Sequence, residues 1–376
     1  MSLDKIASKR VLIRFDYNVP MNQGRIVNDF RIKQSLATIQ LLLKNKNKLI
    51  LMSHLGRPKE GKYDKNNSLE PIAYYLSELL SKDIKFISSL DEQVSFDNNE
   101  ICFLENARFN VGEKSCDDSL SQRYASLADI FIFDAFGVAH RKESSTYGVS
   151  EHLETYPGLN IKHEISTINK LIKENSRPMT IIISGAKVST KLIVIKKLLS
   201  RCDYMILGGG ILNTFLKAKG YEIGLSLYEE NLIPEAKNIL NSKLASKIIF
   251  PSDLLCESVN QAINKDIHAI TKEDSIYDIG QDSLREIKKL INKSSSVFWN
   301  GPLGYVEKKP YDNGTIELAK TIAKHNCFSI VGGGDTLPII ENLNLQNDYS
   351  CLSTGGGSLL TYLEGESLPI LAKLNL

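Results

Sequence analysis

Two stretches of this chain carry residues suited to holding phosphate: Gly185-Ala186-Lys187-Val188-Ser189-Thr190-Lys191 and Val331-Gly332-Gly333-Gly334-Asp335-Thr336. Each follows an apolar run, bends through glycine, and continues into residues that suit a helix start. Glycine lets a ligand approach the backbone closely, and a helix start offers unpaired N–H groups and the positive end of a dipole. With a helix beginning near Val188, Lys187 and Lys191 fall on one face, where two cations can neutralise phosphoryl oxygens. The Asp335 carboxylate suits Mg²⁺. Two further glycine triplets, Gly208-Gly209-Gly210 and Gly355-Gly356-Gly357, also follow strand-like runs, as does Asn300-Gly301-Pro302, with Glu307 close behind. This half therefore reads as a nucleotide-phosphate site. It is not a Walker A loop, and no G-x-G-x-x-G follows an apolar run.

The first half delivers different chemistry in the same way. Apolar runs lead into Asp16-Tyr17-Asn18, into Ser53-His54-Leu55-Gly56-Arg57, into Glu105-Asn106-Ala107-Arg108 and into Asp134-Ala135-Phe136-Gly137-Val138-Ala139-His140-Arg141. Arg31 stands at a predicted helix start. Taken singly, each arginine is an ordinary surface residue. As a set always placed just after an apolar run, they imply a small polyanion, because the guanidinium fork matches phosphate and carboxylate oxygens.

Strands alternating with helices must position these groups. Strand-like runs fall at residues 11–15, 49–53, 101–104 and 130–133, then at 180–183, 204–207, 247–250, 296–299, 328–331 and 349–352. Between them lie segments with apolar residues at three- and four-residue spacing, such as 31–43, 71–80 and 161–173. That rhythm implies parallel sheets with helices on both faces and ligands beyond the carboxyl ends of the strands. The fold expected is α/β: two doubly wound parallel-sheet (Rossmann-like) domains, joined by a long helix. The 376 residues exceed one ordinary core. Domain bounds are placed at 1–156, an interdomain helix at 157–176, a second domain at 177–364, and a tail at 365–376.

A formal charge of +2 argues against bulk binding to nucleic acid or anionic membrane. Six scattered cysteines without C-x-x-C read as reduced thiols, and no apolar run reaches membrane-spanning length. A cytoplasmic location is expected.

The blocks Arg-Phe-Asp-Tyr-Asn-Val-Pro, Ser-His-Leu-Gly-Arg-Pro, Leu-Glu-Asn-Ala-Arg-Phe, Gly-Ala-Lys-Val-Ser-Thr-Lys, Trp-Asn-Gly-Pro-Leu-Gly, Gly-Gly-Gly-Asp-Thr and Ser-Thr-Gly-Gly-Gly together resemble the phosphoglycerate kinases. They occur in family order and span nearly the whole chain. The resemblance implies Mg²⁺-dependent phosphoryl transfer between 1,3-bisphosphoglycerate and ADP, giving 3-phosphoglycerate and ATP. It implies a monomer whose two domains, one per substrate, face a cleft and close by hinges near residues 156–158 and 353–357. It further implies that Asp16, Asn18, His54, Arg57, Arg108, His140 and Arg141 hold the phosphoglycerate, with Arg31 at the transferring group. Gly185, Ala186, Lys187 and Lys191 would meet the nucleotide phosphates, Lys191 moving onto the group transferred. Asn300, Pro302, Gly333, Gly334 and Thr336 would line the phosphate channel, Glu307 would meet the ribose, and Asp335 would hold Mg²⁺. The backbone of Gly355, Gly356 and Gly357 would meet the transition state, and the last residues would return to the first domain.

Four positions depart from the family pattern. Ser184 replaces a glycine, Phe133 an asparagine, Lys142-Glu143 the pair Ala-His, and Ile276 a glycine near the nucleobase. Two other classes compete with this one. A non-catalytic phospholigand regulator is opposed by the joint presence of Arg31, Lys191 and Asp335. A nucleotide-dependent dehydrogenase is opposed by the missing G-x-G-x-x-G.

Overall fold

A computed structural model describes residues 3–174, 176–374 and 376. It divides into two compact units, Met1–Ser166 with Glu366–Leu376, and Thr167–Gly365.

In the first unit the strands are β1 (Arg10–Phe15), a short antiparallel pair β2 (Met21–Asn22) and β3 (Arg25–Ile26), β4 (Lys48–Met52), β5 (Ile84–Ile87), β6 (Ile101–Leu104), β7 (Ile130–Asp134) and β8 (Thr155–Pro157). Six of them form one parallel sheet in the order β5-β6-β4-β1-β7-β8. The four central strands are almost wholly buried, as parallel strands covered on both faces must be, so they read as unbroken apolar runs. Helices α1 (Phe30–Lys44), α2 (Glu70–Leu80) and α3 (Asp118–Ala125) belong to this unit. On α1 the buried residues Ile32, Ser35, Thr38, Ile39 and Leu42 recur at three- and four-residue spacing.

The helix α4 (Leu159–Glu174) begins beside Asp134 at the end of β7. Asp134 accepts from the Ile161 N–H at 2.9 Å, from Asn160 Nδ2 at 3.0 Å and from Thr38 Oγ1 at 2.7 Å. These bonds satisfy a helix-start donor, yet burial still pushes the carboxyl up to about 6. The division between the units falls inside α4.

The second unit adds β9 (Met179–Ser184), β10 (Tyr204–Gly208), β11 (Ile248–Ile249), β12 (Asp253–Ser258), β13 (Gln261–Asp266), β14 (Ser275–Ile279), β15 (Ser296–Asn300), β16 (Phe328–Gly332) and β17 (Cys351–Ser353). Its parallel sheet runs β11-β10-β9-β15-β16-β17, and β13-β12-β14 form a separate antiparallel sheet. The helices are α5 (Leu192–Leu199), α6 (Gly209–Lys219), α7 (Ile233–Leu240), α8 (Gln281–Ile291), α9 (Asn313–His325), α10 (Leu337–Asn342) and α11 (Gly357–Leu363). A final helix, α12 (Pro369–Leu374), belongs to the first unit, where Lys373 pairs with Glu151 at 2.9 Å. Among the described residues no helix is long and apolar enough to cross a membrane.

Several local expectations are corrected. Helix α5 begins at Leu192, not near Val188, with Lys191 as its N-cap residue. Lys187 and Lys191 therefore do not share a helix face. The Gly185-to-Thr190 stretch remains non-helical, and the Ser189 N–H is taken instead by Glu229 at 2.8 Å. The last strand starts at Cys351 because Gln346–Asp348 makes a helical turn just before it. The run at 247–250 contributes only two residues of strand. The break at 156–158 includes an edge strand, where Pro157 is tolerated because one side of the edge needs no N–H donor.

Candidate active site

In the first unit the polar groups leave from the carboxyl ends of adjacent parallel strands. Asp16 and Asn18 follow β1, His54 and Arg57 follow β4, Arg108 follows β6, His140 and Arg141 follow β7, and Arg31 lies in the first turn of α1. The structure gathers most of them into one charge cluster. Arg31 Nη1 donates to Asp16 Oδ2, and Asp16 Oδ1 lies 3.8 Å from His54 Nδ1. Buried Arg14 donates from Nη2 to His54 Nδ1 at 3.2 Å and from Nε to Ser145 Oγ at 3.0 Å. Because arginine only donates, His54 Nδ1 is an acceptor and the ring is neutral. Its pKa agrees, held well below the usual value by burial and then by Arg14, Arg108, Arg141 and Arg31. The approach to Asp16 is thus proximity, not an ion pair.

Arg108 is buried; its Nη1 donates to the Gly56 carbonyl at 2.6 Å and its Nη2 reaches Glu143 Oε1 at 3.4 Å. Arg141 Nη1 reaches the same oxygen at 3.3 Å, while its Nε donates to His140 Nε2 at 3.3 Å. Burial, followed by Arg141, lowers the His140 pKa. Asn18 Oδ1 accepts from the Gly56 N–H at 2.9 Å and ties the first loop to the second. Arg57 is exposed and stands apart from the buried cluster.

Arg14, Glu113 and Glu143 were not among the residues expected here. Glu113 is fully buried, and its carboxyl accepts from Ser145 N at 3.1 Å and from Ser145 Oγ. Burial pushes its carboxyl up to about 7. A signal for Arg14 existed: a charged residue inside an otherwise apolar strand.

In the second unit a cavity of about 320 Å³ has two characters. Its lining combines the glycine-rich backbone of Gly185, Ala186, Gly209 and Gly210 and the polar side chains of Asn213, Glu307 and Asp335 with the apolar and aromatic surfaces of Leu227, Ile276, Tyr277 and Tyr305. Gly209 opens α6, so a helix N-terminus meets the cavity. Close approach there demands glycine: a Cβ on Gly210 would stand 2.3 Å from the Ala186 carbonyl oxygen, and neither atom can yield without moving backbone. Gly210→Ala is therefore expected to lower Tm, an overpacking cost of roughly 1–3 kcal/mol. An unchanged Tm in a calorimetric melt would refute this.

Lys191 is largely desolvated. Its Nζ donates to the Ser184 carbonyl at 2.5 Å and to the Asn300 carbonyl at 3.5 Å. Burial lowers its pKa to about 8, against the opposing pull of Asp335. Thr336 is buried and its Oγ1 has no partner among the described residues; the same holds for Asn213 Oδ1, which edges the cavity. Buried polar atoms left open in this way fit a ligand that completes them. Gly333 adopts φ +122°, which only glycine takes easily, and comes close to Gly301 N. Lys187 is exposed beside Glu229, whose carboxyl it helps hold below the usual range after Ser189. Gly355 N–H bonds Ser353 Oγ at 3.1 Å, Gly356 has φ +49°, and Gly357 opens α11.

Three of the departures have visible consequences. Glu143 takes both Arg108 and Arg141. Ser184 Oγ donates to the Pro302 carbonyl, joining the end of β9 to the loop after β15. Ile276 and its neighbour Tyr277 line the cavity.

Among the described residues no three His, Cys, Asp or Glu side chains converge as a metal cage. Exposed Asp335 supplies one carboxylate to the lining of the cavity, and a single carboxylate suits Mg²⁺, an ion that keeps several waters and shares its remaining positions with phosphate oxygens.

Parallel-sheet units that put guanidinium groups at one set of strand exits and a lysine, glycines and a carboxylate at another define a phosphotransferase acting between polyanions. Comparison with known proteins narrows the class. A model of the phosphoglycerate kinase family matches residues 2–366, and the chain belongs to that family. It is 42% identical over 381 residues to the phosphoglycerate kinase of Legionella pneumophila (strain Lens), covering 100% of this chain and 96% of that protein. It is likewise 42% identical over 371 residues to that of Francisella tularensis subsp. holarctica, covering 97% and 95%. The solved phosphoglycerate kinase of Coxiella burnetii superposes with a TM-score of 0.85 at 39% identity, covering 98% of this chain and 96% of that one. That of Pyrococcus horikoshii OT3 gives 0.87 at 26% identity, covering 98% and 96%. The chain is a kinase with a carboxyl group as phosphoryl acceptor, and its reaction, between 1,3-bisphosphoglycerate and ADP, is a step of glycolysis.

Proposed function

We propose that the cavity of the second unit binds ADP or ATP, and that the arginine–histidine cluster of the first unit binds the phosphoglycerate. The observation that carries this is Lys191: a buried ammonium resting on the carbonyls of Ser184 and Asn300, close behind Gly185 in the wall of the cavity. In this reading Gly185, Ala186, Lys187, Asn300, Pro302, Gly333, Gly334 and Thr336 surround the nucleotide phosphates, and Glu307 meets the ribose. Asp335 holds Mg²⁺, which supplies charge neutralisation between the phosphates. Asp16, Asn18, His54, Arg57, Arg108, His140 and Arg141 hold the phosphoglycerate. Arg31 and Lys191 stabilise charge on the transferring group, and the amides of Gly355, Gly356 and Gly357 add donors.

The chemistry needs no general base. The acceptor is a carboxylate, ionised at neutral pH, so the task is to offset repulsion between polyanions. Two like charges ~4 Å apart at an effective dielectric of ~20 repel by roughly 4 kcal/mol. Fixed cations and N–H groups act on that term and on the equatorial oxygens in flight. The reading extends to a cytoplasmic monomer that needs neither membrane nor nucleic acid. Its test is 3-phosphoglycerate-dependent consumption of MgATP, coupled to reduction of the acyl phosphate. Turnover that persists without 3-phosphoglycerate, or its absence from folded protein, would reject it.

A pH profile follows. Lys191 acts as the cation, and burial depresses its pKa, so rising pH removes the active form through about 8. In the nucleotide-free enzyme, kcat/KM for nucleotide should fall about tenfold per pH unit above that point. Lys191→Arg should displace the alkaline limb beyond the accessible range. A flat profile in the parent enzyme would remove Lys191 as the titrating group.

A further inference from the structure

Glu143 stands where two of the arginines meet. Its Oε1 takes Arg108 Nη2 at 3.4 Å and Arg141 Nη1 at 3.3 Å. The carboxylate side chain is 5% exposed and that of Arg108 only 3%, whereas Arg141 remains 36% exposed. The main chain that carries Glu143 is tied to that of Arg141, since the Glu143 N–H donates to Thr146 Oγ1 at 3.1 Å and Thr146 Oγ1 in turn donates to the Arg141 carbonyl at 3.0 Å. The pairing is nevertheless incomplete: Glu143 Oε2 and Arg108 Nε are both buried without a hydrogen-bond partner among the described residues.

We propose that Glu143 is a built-in counter-anion that holds Arg108 and Arg141 in the empty site and competes with the substrate's phosphate for them, setting the affinity for 3-phosphoglycerate. The proposal rests on the assignment of the phosphoglycerate to this cluster. Two guanidinium groups packed together repel each other. Burial lowers the Arg108 pKa first, with Arg141 and Arg14 adding to it, while Glu143 opposes them. In the empty site Glu143 supplies the offsetting charge. A bound phosphate dianion supplies it instead, with more charge and more acceptors. It then faces a buried carboxylate of its own sign. Glu143 thus stabilises the empty state and opposes the bound one, and both effects weaken binding. The other two carboxylates of this region do not share this position: Glu113 is pushed up to about 7 and bonds through Ser145, and Asp16 pairs with Arg31.

Glu143→Gln keeps the shape and an acceptor oxygen but removes the charge. Titration calorimetry of 3-phosphoglycerate onto the full chain should show about tenfold tighter binding, given a charge removed within several ångströms of a dianion. KM for 3-phosphoglycerate should fall with it while KM for nucleotide stays unchanged. Tm without ligand should drop, and the rise in Tm at saturating 3-phosphoglycerate should grow. Glu143→Asp, which keeps the charge but shortens its reach, guards against misfolding of the first variant and should tighten binding by about threefold. Unchanged or weaker binding in the folded variants, with Arg108→Met abolishing it, would overturn the role of Glu143 and leave the site assignment standing. Binding undiminished in Arg108→Met would remove the site assignment, and this inference with it.

Discussion

Lys191→Met should lower kcat by about 10³ while leaving the protein folded and its affinity for 3-phosphoglycerate intact, a loss of roughly 4 kcal/mol of transition-state stabilisation. Methionine matches the buried stem, so little packing is lost. The ammonium is already satisfied in the ligand-free site, by the carbonyls of Ser184 and Asn300. Bound nucleotide must compete with those carbonyls for it. The exchange is most favourable when negative charge accumulates on the transferring oxygens, which makes the interaction stronger in the transition state than in the ground state. The nucleotide KM should therefore change by less than about tenfold. Steady-state and single-turnover kinetics decide the matter: a loss confined to KM would make Lys191 a binding group and nothing more.

Arg31→Met should lower kcat by about 10²–10³, the range for removing one positioned charge from a phosphoryl-transfer site. Arg31 is held by Asp16, whose side chain is only 6% exposed against 25% for the arginine. Truncation therefore has two effects, the lost cation and an uncompensated buried carboxylate. Asp16→Asn, alone and in the same background, separates them. If Asp16→Asn alone keeps kcat while the double variant restores Tm but not kcat, the cation itself is what catalysis needs. Recovery of kcat in the double variant would instead show that Arg31 matters only as the partner of Asp16.

The site was legible in the sequence to the extent that it is local. Apolar runs ending in Asp16-Tyr17-Asn18, Ser53-His54 or Val331-Gly332-Gly333-Gly334-Asp335 are consecutive in the chain, and each parallel sheet places its own exits along one edge. The central strands were equally plain because burial on both faces leaves no polar alternation to confuse the pattern. Edge elements were not. Ile84–Ile87 is only partly buried, and Gln261–Asp266 is mostly exposed, so neither shows a strong apolar run. The start of α5 at Leu192 is not legible from local spacing, because the Gly185-to-Thr190 stretch bonds outward, to Glu229 forty positions from Ser189.

By itself, then, the sequence determined the family, the alternation of strand and helix, and which residue types stand at the strand exits, because these depend on neighbours a few positions apart. Only the tertiary structure decided the state of those residues. Arg14 reaches Ser145 across 131 positions and makes His54 a neutral acceptor. Arg108 and Arg141 meet on one oxygen of Glu143, and Lys191 loses water to rest on Ser184 and Asn300. Burial and charge coupling are properties of what surrounds a group in space, and for these groups the surroundings come from distant parts of the chain.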